Sequence, residues 1–433
     1  MILPTTPAQL RSKIAAPPRG LRLAILSAAL ALTTILPLAC KPTDSDRPAE
    51  ELSNAEVDRL RALPYAGGTP ANPNEPTGVI HHDAERTCPG YRLYTVQMQG
   101  IAELIDEAGQ VTRAWQIGDE DRWERCELLP DGDVLVIGSD GDQLDSKRPW
   151  DIPTQARYVA RMNWGGELKW KHHLPAHHDL EQLPDGRIAV LTFEQRRVPA
   201  IHPDIDVRDD RLTLLDADGN VLTFHSLLDA FRNGVRDLPL HRLRPVAPTG
   251  EPWFDLLHSN SVEWMRWPEL AKRDPLYSPE NVLVCVRHQD RVALVDWPHN
   301  QVVWQWGVGE ISGPHDAQML ANGHILLFDN GLKMKRSRAV ELNPLHKKIV
   351  WQYEADPPES FYTESKGSVQ RLPNGNTLLA ESDKGRAIEV TTDGEVVWEF
   401  ICPHRLDDDQ RAAIVRMVLH PRDRIDELLR QNQ

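Results

Sequence analysis

The stretch LPNGNTLLAESDKGRAIEVTTDGEVVW, residues 372–398, contains the pattern on which the predicted fold depends. It begins with a tight Asn-Gly turn, continues through two apolar runs that polar residues separate, and ends after an Asp-Gly turn at Trp398. Asn-Gly and Asp-Gly pairs between apolar runs are the strongest short-range signal of a β-hairpin. This stretch is therefore predicted to form antiparallel strands that are joined by tight turns.

The same pattern recurs along the chain. A short polar turn that is followed by a branched residue and a large ring occurs six times, ending at Trp115, Trp170, Phe224, Trp304, Trp351 and Trp398. A second motif (LPDG, LANG or LPNG) leads into an apolar run from residues 129, 183, 320 and 372, and SPEN at 278–281 takes its place in the fourth unit. Residues 85–402 provide about 53 residues for each of six units, near the roughly 40–50 of a four-stranded blade. The sequence therefore predicts an all-β protein, a six-bladed β-propeller.

Two segments interrupt or follow the repeat. One interval between successive rings is 80 residues long, so we expect an inserted loop near residues 225–255 that contains some helix. After the last unit, residues 403–433 are predicted to form a helical C-terminal tail, with Asp408 or Asp409 as its N-cap.

The first forty residues have the features of an export signal. Residues 1–22 contain four basic residues and no acidic one, and an apolar run from Leu23 to Ala39 follows. That run is short for a membrane-spanning helix. Because Cys40 comes directly after Leu-Ala, we predict a lipoprotein-type signal peptide over residues 1–40 and a lipid anchor on Cys40. A plain signal peptide that is cut nearby is the alternative. We expect an exported, periplasmic and membrane-anchored protein.

Composition restricts the rest of the chain. Residues 41–84 are rich in Pro, Asp and Glu, which predicts a tether. The chain has 49 Lys and Arg against 64 Asp and Glu, a net charge of −15, which excludes a general nucleic-acid binder.

In an exported protein Cys88, Cys126, Cys285 and Cys402 could pair, and the sequence does not distinguish the three connectivities. A bridge between Cys88 and Cys402 would close the repeat region into a ring.

Histidines mark one end of the predicted inner strands. His178 and His315 each lie six residues before the second residue of a turn motif, so they occupy equivalent positions in two units. His258 lies at the start of an inner strand in the unit between them, and Arg287 ends the strand that returns from the next turn. Because the innermost strands of a propeller surround its central channel, we expect these four side chains to converge at one mouth of that channel.

Three imidazoles and a guanidinium permit more than one chemistry. Each histidine taken singly is most simply a hydrogen-bonded structural residue. A metal site is a second interpretation, but the fixed charge of Arg287 disfavours a cation. The third is an anion pocket, in which Arg287 offers a planar fork to an oxyanion and the histidines act as donors or as a nucleophile. We predict the anion pocket, without metal or cofactor. His288, His299 and His324 are assigned to turns or outward-facing positions.

Four stretches resemble the bacterial arylsulfate sulfotransferases, and the resemblance covers roughly residues 90–402. They are DLLHSNSVEW (255–264), VLVCVRHQD (282–290), GPHDAQMLANGHILLFDNG (313–331) and GSVQRLPNGNTLLAESDKGRAIEVTTDGEVVWEF (367–400). The resemblance implies a six-bladed periplasmic propeller that transfers a sulfuryl group from a phenolic sulfate ester to a phenolic acceptor. It also implies a ping-pong mechanism through a sulfated histidine, with no nucleotide donor and no cofactor.

The resemblance assigns roles to individual residues. It implies His315 as the nucleophile, His258 as the acid and base, Arg287 as the clamp on the oxyanion, His178 as a further ligand of the sulfuryl oxygens and Asn260 as a further donor. One departure concerns assembly. Ahead of the first unit there is no room for the N-terminal β-domain through which members of that family dimerise, so the oligomeric state stays open.

An alternative of another class also stays open. The chain could be a non-catalytic, lipid-anchored propeller that binds a partner protein or a small anion, with the His and Arg side chains serving only as a cradle. Turnover of a chromogenic phenyl sulfate in the presence of a second phenol distinguishes the two functions.

Overall fold

The computed structural model describes residues 68–119, 121–144, 152–235, 239–241, 243–246 and 251–432. In this part of the chain, 29 β-strands form six sheets of four or five strands and one small sheet of three, and there are two short α-helices. Strands that a tight turn joins within a large sheet pair antiparallel, as such turns require.

We number the strands in chain order and the six large sheets by their place in the chain. Sheet 1 consists of β3 (Tyr91–Val96), β4 (Ile101–Ile105), β5 (Val111–Gln116) and β29 (Ile414–His420). Sheet 2 consists of β6 (Arg122–Leu128), β7 (Val134–Ser139), β8 (Arg157–Met162) and β9 (Leu168–His173). Sheet 3 consists of β10 (Ala176–Gln182), β11 (Ile188–Arg197), β12 (Asp206–Leu215), β13 (Val221–Ser226) and β14 (Trp253–Asp255).

The second half of the chain supplies the other sheets. Sheet 4 consists of β15 (Ser259–Trp264), β16 (Asn281–Val286), β17 (Arg291–Asp296) and β18 (Gln301–Trp306). Sheet 5 consists of β19 (His315–Met319), β20 (Ile325–Asp329), β21 (Arg338–Asn343) and β22 (Lys348–Glu354). Sheet 6 consists of β23 (Ser368–Arg371), β24 (Thr377–Glu381), β25 (Arg386–Val390), β26 (Val396–Ile401) and β2 (Gly78–His82). The small sheet consists of β1 (Gly68–Pro70), β27 (Arg405–Asp407) and β28 (Gln410–Ala412).

The six large sheets form a closed ring. Their innermost strands are β29, β6, β10, β15, β19 and β23, each of which contacts the next, and β23 contacts β29 again. Apolar side chains fill the space between neighbouring sheets, as where Leu135 and Ile137 of sheet 2 pack with Leu180 and Val190 of sheet 3. This cyclic arrangement of antiparallel sheets is a β-propeller, so the predicted all-β propeller class is confirmed. The number of large sheets in the described part equals the number of repeat units in the sequence.

Tryptophans of the fourth strands, counted from the centre, connect four of the large sheets to the next sheet. Indole N–H groups donate to backbone carbonyls in the outer turn of the following sheet: Trp170 to Ala217 (3.2 Å), Trp304 to Pro344 (3.1 Å), Trp351 to Thr392 (2.9 Å) and Trp398 to Glu107 (3.0 Å). All four lie beside a register shift between the third and fourth strands. The prediction of six equivalent rings is therefore correct for these four. It is wrong for Phe224 and Trp115, which lie one and two residues, respectively, beyond the equivalent position in their strands.

The C-terminal residues correct one prediction. Only α2 (Arg422–Gln431) of the predicted tail is helical, whereas residues 405–420 contain three strands, and neither Asp408 nor Asp409 caps a helix. β29 pairs with β3 because the first unit of the sequence supplies only three strands, so its innermost position is filled from the far end of the chain. The propeller therefore extends to His420 and does not end at residue 402.

The N-terminal boundary also differs from the prediction. β1 belongs to the small sheet, and β2 covers the outer edge of sheet 6 by pairing with β26, which satisfies backbone groups that an edge strand leaves free. Residues 68–82 of the predicted 41–84 tether are thus part of the fold. The predicted signal peptide and Cys40 lie outside the described residues. Within these residues, neither α-helix is long and apolar enough to cross a bilayer.

The insertion in sheet 3 contains the expected helix. α1 (Leu227–Asn233) begins after Ser226, whose hydroxyl accepts a hydrogen bond of 3.0 Å from the N–H of Asp229, and its apolar side chains pack into the core between sheets 3 and 4. After the insertion, β14 pairs in parallel with β12 and ends at Asp255, three residues before His258. The insertion thereby delivers the chain to the centre of the ring, where sheet 4 begins.

The four cysteines of the described part are buried and unpaired. The bridge that the sequence permits between Cys88 and Cys402 is therefore not formed, although both side chains lie in one apolar core. Burial raises the pKa of the Cys126 and Cys402 thiols to about 12. These thiols stay protonated and pack as small apolar groups.

Candidate functional site

The four predicted site residues lie together at one end of the central channel. His178 is in β10, His315 begins β19, His258 directly precedes β15, and Arg287 directly follows β16. The ring centroids of His178 and His258 are 5.0 Å apart, and the charge of Arg287 acts on both His258 and His315. His178 and His315 line one cavity of about 60 Å³. Sheets 3, 4 and 5 thus contribute side chains to a single group.

Irregular backbone at the start of the inner strands decides which side chains reach this cavity. β10, β15 and β19 each contain a register shift near their first residues. His178, His258 and Asp316 have positive φ values of 59°, 51° and 51°, a conformation that costs energy for residues other than glycine. Neighbouring residues of a regular strand face opposite sides. At this irregularity His315 and Asp316, although adjacent in the chain, line the same cavity.

The ring of His315 is held in one tautomer. Its Nδ1 lies 2.7 Å from Oδ1 of Asn330 and 3.1 Å from the carbonyl oxygen of Gly313. The amide nitrogen of Asn330 donates to the carbonyls of Thr363 and Lys366, both at 2.9 Å, so its oxygen faces the imidazole. Nδ1 therefore carries the proton. The lone pair is on Nε2, which is buried and has no hydrogen-bond partner among the described residues.

His178 is oriented by the residue before it. Nε2 of His177 lies 3.3 Å from the carbonyl oxygen of Thr192 and 3.6 Å from Oδ1 of Asp210, so that nitrogen carries a proton. Nδ1 of His177 then accepts a hydrogen bond of 2.9 Å from Nδ1–H of His178. The backbone N–H of His178 donates to Glu124 over 2.9 Å. Burial lowers the pKa of His178 to about 4, so this ring is neutral near pH 7.

His258 forms an acid–base pair with Asp255. Nδ1–H of His258 donates to Oδ2 of Asp255, which fixes the tautomer and the plane of the ring. The ring also packs against His288, with 4.4 Å between the centroids. Burial lowers the pKa of His258 well below its ordinary value. A neutral imidazole that a carboxylate holds in this way can take a proton on Nε2 and return it.

His288 lies at a turn between β16 and β17, but it is buried in the site and does not face outward. Its Nε2 accepts a hydrogen bond of 2.8 Å from Nη1 of Arg287, and its Nδ1–H donates to the carbonyl of Asp255 over 2.7 Å. Nη2 of Arg287 lies 3.5 Å from the carbonyl oxygen of Glu364. Both of these partners are neutral, and they orient the guanidinium of Arg287.

Asp255, His258 and His288 lie close enough to suggest a metal site, with potential ligand atoms within 4.8 Å of one another. The hydrogen bonds of His288 argue against it, because its Nδ1 carries a proton and its Nε2 accepts from Arg287. The charge of Arg287 beside the group also disfavours a divalent cation. The residues present do not fit a metal ion, and the arrangement suits an anion.

Asn260 lines the same cavity but offers a different atom from the one predicted. Its Nδ2 donates to the carbonyl of Pro314 over 2.8 Å, whereas its Oδ1 is buried without a hydrogen-bond partner in the described part of the chain. In this orientation the amide presents an acceptor and not the expected donor. It therefore suits a phenolic hydroxyl or a protonated imidazole better than a sulfuryl oxygen.

Several groups of the site were missed by sequence reasoning. Lys366, which precedes β23, and Arg416 of β29 both line the cavity, and both come from segments without a histidine motif. Nη2 of Arg416 pairs with Asp316 over 2.7 Å, and these two residues also line a second cavity of about 130 Å³. Asn330 and Asp255 lie within the quoted stretches 313–331 and 255–264, so their nearness to His315 and His258 in the sequence was the available signal.

The chain is similar to one protein-family model and to several solved structures. The arylsulfotransferase (ASST) family model matches residues 158–402, more than half of the chain. No curated protein matches the sequence. Among solved structures, a protein of unknown function from Bacteroides caccae is 14% identical, over 76% of this chain and 98% of that chain, with a TM-score of 0.49. A streptogramin B lyase is 10% identical, over 83% and 95%, with a TM-score of 0.42. A catalytically inactive virginiamycin B lyase from Staphylococcus aureus is 10% identical, over 77% and 90%, with a TM-score of 0.43.

Proposed function

The chain belongs to the arylsulfotransferase family, and from this we propose that it moves a sulfuryl group from a phenolic sulfate ester to a phenolic acceptor through a covalent intermediate on His315. The tautomer of His315 carries the proposal. Nδ1–H is held by Asn330, and the Nε2 lone pair is buried beside the cavity with no protein partner in the described residues. A neutral imidazole nitrogen in this state is a nucleophile.

The test of this function is the turnover of a chromogenic phenyl sulfate by the purified protein. We expect a second phenol to accelerate the reaction and to give parallel lines in double-reciprocal plots, as a ping-pong mechanism requires. A folded protein that binds sulfate but releases no phenol would favour the non-catalytic alternative, a propeller that binds an anion or a partner protein.

In the first half-reaction, Nε2 of His315 attacks sulfur in line with the bond to the phenolic oxygen. The N–S bond forms as the S–O bond breaks, and the phenolate leaves with the bonding electron pair. Arg287 donates to the sulfuryl oxygens, where the negative charge is concentrated. Asn330 accepts from Nδ1–H and so stabilises the positive charge that the imidazole acquires. His178 would assist in its protonated form, which a nearby anion favours.

In the second half-reaction, the acceptor phenol gives its proton to Nε2 of His258. The resulting phenolate attacks sulfur, and the N–S bond breaks with its electron pair returning to His315. Asp255 stabilises the imidazolium that His258 becomes, because the carboxylate already accepts Nδ1–H. The proton on His258 then goes to the phenolate that leaves in the next cycle, so protons balance over a full turnover.

Activity toward a donor with a good leaving group is expected to stay constant as the pH falls through 6.5. Burial lowers the pKa of His315 well below this ordinary histidine value, so the nucleophile remains unprotonated there. The acid limb of kcat/KM for 4-nitrophenyl sulfate should therefore lie well below pH 6.5. Buried neutral histidines also make the fold less stable below pH 6.5, because the unfolded chain takes up protons that the native protein excludes. Circular dichroism must show a folded protein at each pH, and a limb centred at 6.5 in folded protein contradicts the prediction.

Replacing His258 by Ala is expected to slow transfer most from donors whose phenols are poor leaving groups. A nitrophenolate departs without a proton, whereas a more basic phenolate needs the one on His258. We expect kcat/KM to fall by a factor on the order of 10²–10⁴ for the basic phenols and far less for nitrophenols. The measurement is the dependence of the rate on leaving-group pKa over a series of phenyl sulfates. An unchanged slope removes His258 from the acid role, and His299→Ala, an exposed histidine paired with Asp296, is the control.

We also propose that the protein is exported and held at the membrane by acyl chains on Cys40. The basic residues, the apolar run and the Leu-Ala-Cys order of the N-terminal sequence support this. Buried acyl chains contribute roughly 0.8 kcal/mol per methylene, so two or more keep a protein with the membrane fraction. Cys40→Ala is expected to release the protein from that fraction or to leave its signal uncleaved. Unchanged fractionation would exclude lipidation and leave export standing.

A further inference from the structure

Lys366 lies in the same cavity as His315, although the mechanism above does not use it. It directly precedes Gly367 in the segment between β22 and β23, and its φ is +56°. Its carbonyl accepts a hydrogen bond of 2.9 Å from Nδ2 of Asn330, and Oδ1 of the same Asn330 accepts Nδ1–H of His315. One side chain therefore fixes the backbone of the lysine relative to the nucleophile.

The ammonium group of Lys366 is buried, and its carboxylate partner also has other donors. The side chain is 6% exposed, and Nζ lies 3.2 Å from Oδ1 of Asp383. The same carboxylate accepts three shorter hydrogen bonds, from the hydroxyl of Thr363 (2.8 Å) and from the N–H (2.8 Å) and the hydroxyl (2.7 Å) of Ser365. Residues of the segment thus already satisfy Asp383. The contact from Nζ of Lys366 is longer than these three, and Nζ also lies 3.4 Å from the hydroxyl oxygen of Ser365.

A second buried cation raises the cost of this arrangement in the absence of an anion. Burial lowers the pKa of Lys366, and the charge of Arg287 acts in the same direction, whereas the carboxylates of Asp383 and Glu124 oppose the shift. These two buried cations repel each other where the effective dielectric constant is low. An anion bound between them offsets both the burial and the repulsion. A sulfate ester is such an anion, and its three terminal oxygens accept donors from more than one side.

We propose that Lys366 is a further catalytic residue of this chain, whose ammonium group donates to an oxygen of the sulfuryl group that Arg287 also binds. The proposal rests on the proposed function. A guanidinium is a rigid fork, whereas an ammonium on a flexible stem is a point charge with three donors. It can keep its contact while sulfur moves from the phenolic oxygen to Nε2 of His315. The competing interpretation is an ion pair with Asp383 that only stabilises the segment before β23.

The test compares two lysine variants of the full-length protein. Lys366→Met removes the charge and keeps an unbranched apolar stem. Lys384→Met is the matched control, because Lys384 also pairs with a carboxylate, Glu381, but is 41% exposed and does not line the cavity. Two quantities are measured: the affinity for inorganic sulfate by calorimetry, and kcat/KM for a chromogenic phenyl sulfate. Lys366→Met should weaken sulfate binding at least tenfold and lower kcat/KM by about 10²–10³, the effect of losing one oxyanion donor. Lys384→Met should change neither.

The outcomes separate this proposal from the proposed function. If Lys366→Met is folded and matches the wild type in both quantities, Lys366 is structural and the proposal is wrong, while sulfuryl transfer stands. If the wild type binds sulfate but transfers nothing, the proposed function fails, and the sulfate titration still decides whether Lys366 binds the anion. Lys366→Gln, which keeps a polar group against Asp383, replaces the methionine variant if that variant does not fold.

Discussion

His315→Ala is expected to abolish sulfuryl transfer, with kcat reduced by a factor on the order of 10⁴ or more. The variant has no Nε2 atom to form the N–S bond, so the reaction loses its covalent intermediate and not only a binding contact. The ring contacts Asn330 and Gly313 through Nδ1, and both of those residues remain to keep the cavity in shape. We therefore expect a folded protein without activity.

Mass spectrometry after brief exposure to donor alone provides the decisive measurement. Wild-type protein should gain one sulfuryl mass on the peptide that contains His315, and His315→Ala should gain none. His299→Ala, an exposed histidine on an outer turn, should be labelled and active like the wild type. Intersecting initial-rate lines together with unmodified protein in an active preparation would indicate direct transfer between the two phenols and would remove His315 from its role.

Arg287→Lys is expected to cause the second-largest loss, although it preserves the charge. The guanidinium is 2% exposed, and Nη1 is anchored on Nε2 of His288, which leaves the planar fork in one orientation. A lysine at this position reaches fewer oxygens and does not reproduce the contact with His288 in the same plane. Loss of an oxyanion clamp of this kind costs about 2–4 kcal/mol of transition-state stabilisation, a factor of roughly 30 to 10³ in kcat/KM.

Steady-state kinetics with a phenyl sulfate donor measures this effect. Arg197→Lys is the control, because Arg197 pairs with Asp206 at an exposed position away from the channel. We expect the control to retain wild-type kcat/KM and the Arg287→Lys variant to remain folded. A folded Arg287→Lys protein with kcat/KM within threefold of the wild type would show that charge alone, without the fork, suffices at this position.

The propeller could be predicted because its signals are local. Each Asn-Gly or Asp-Gly turn determines a hairpin within a few residues, and the recurring ring after the last turn of each unit makes the repeat visible. Trp170, Trp304, Trp351 and Trp398 occupy equivalent positions, because each lies four residues after the residue of positive φ in the turn before its strand. The tail was misjudged because pairing of β29 with β3 joins residues more than 300 positions apart, and no local pattern records that pairing.

The candidate site was predictable to the extent that it follows strand register. His178 and His315 share a position relative to their turns, and the structure places them on the same cavity. The role of Asn260 as a donor could not be judged from its residue type, because the carbonyl of Pro314 uses its amide nitrogen. His288 was assigned to a turn or an outward-facing position, and on a regular strand it would face away from Arg287. The chain leaves the strand at Val286, and both side chains are buried.

The sequence by itself determined the hairpin units, their recurrence and the grouping of four candidate site residues, because tight turns and apolar runs act between residues that are close in the chain. Only the tertiary structure decided that β29 completes sheet 1 and that Asn330, Lys366 and Arg416 complete the site. Asn330 binds Lys366 across 36 residues, and Arg416 reaches Asp179 across 237. Such contacts, and the register shifts that turn Asp316 into the cavity, depend on how the ring closes and therefore leave no periodic pattern in the sequence.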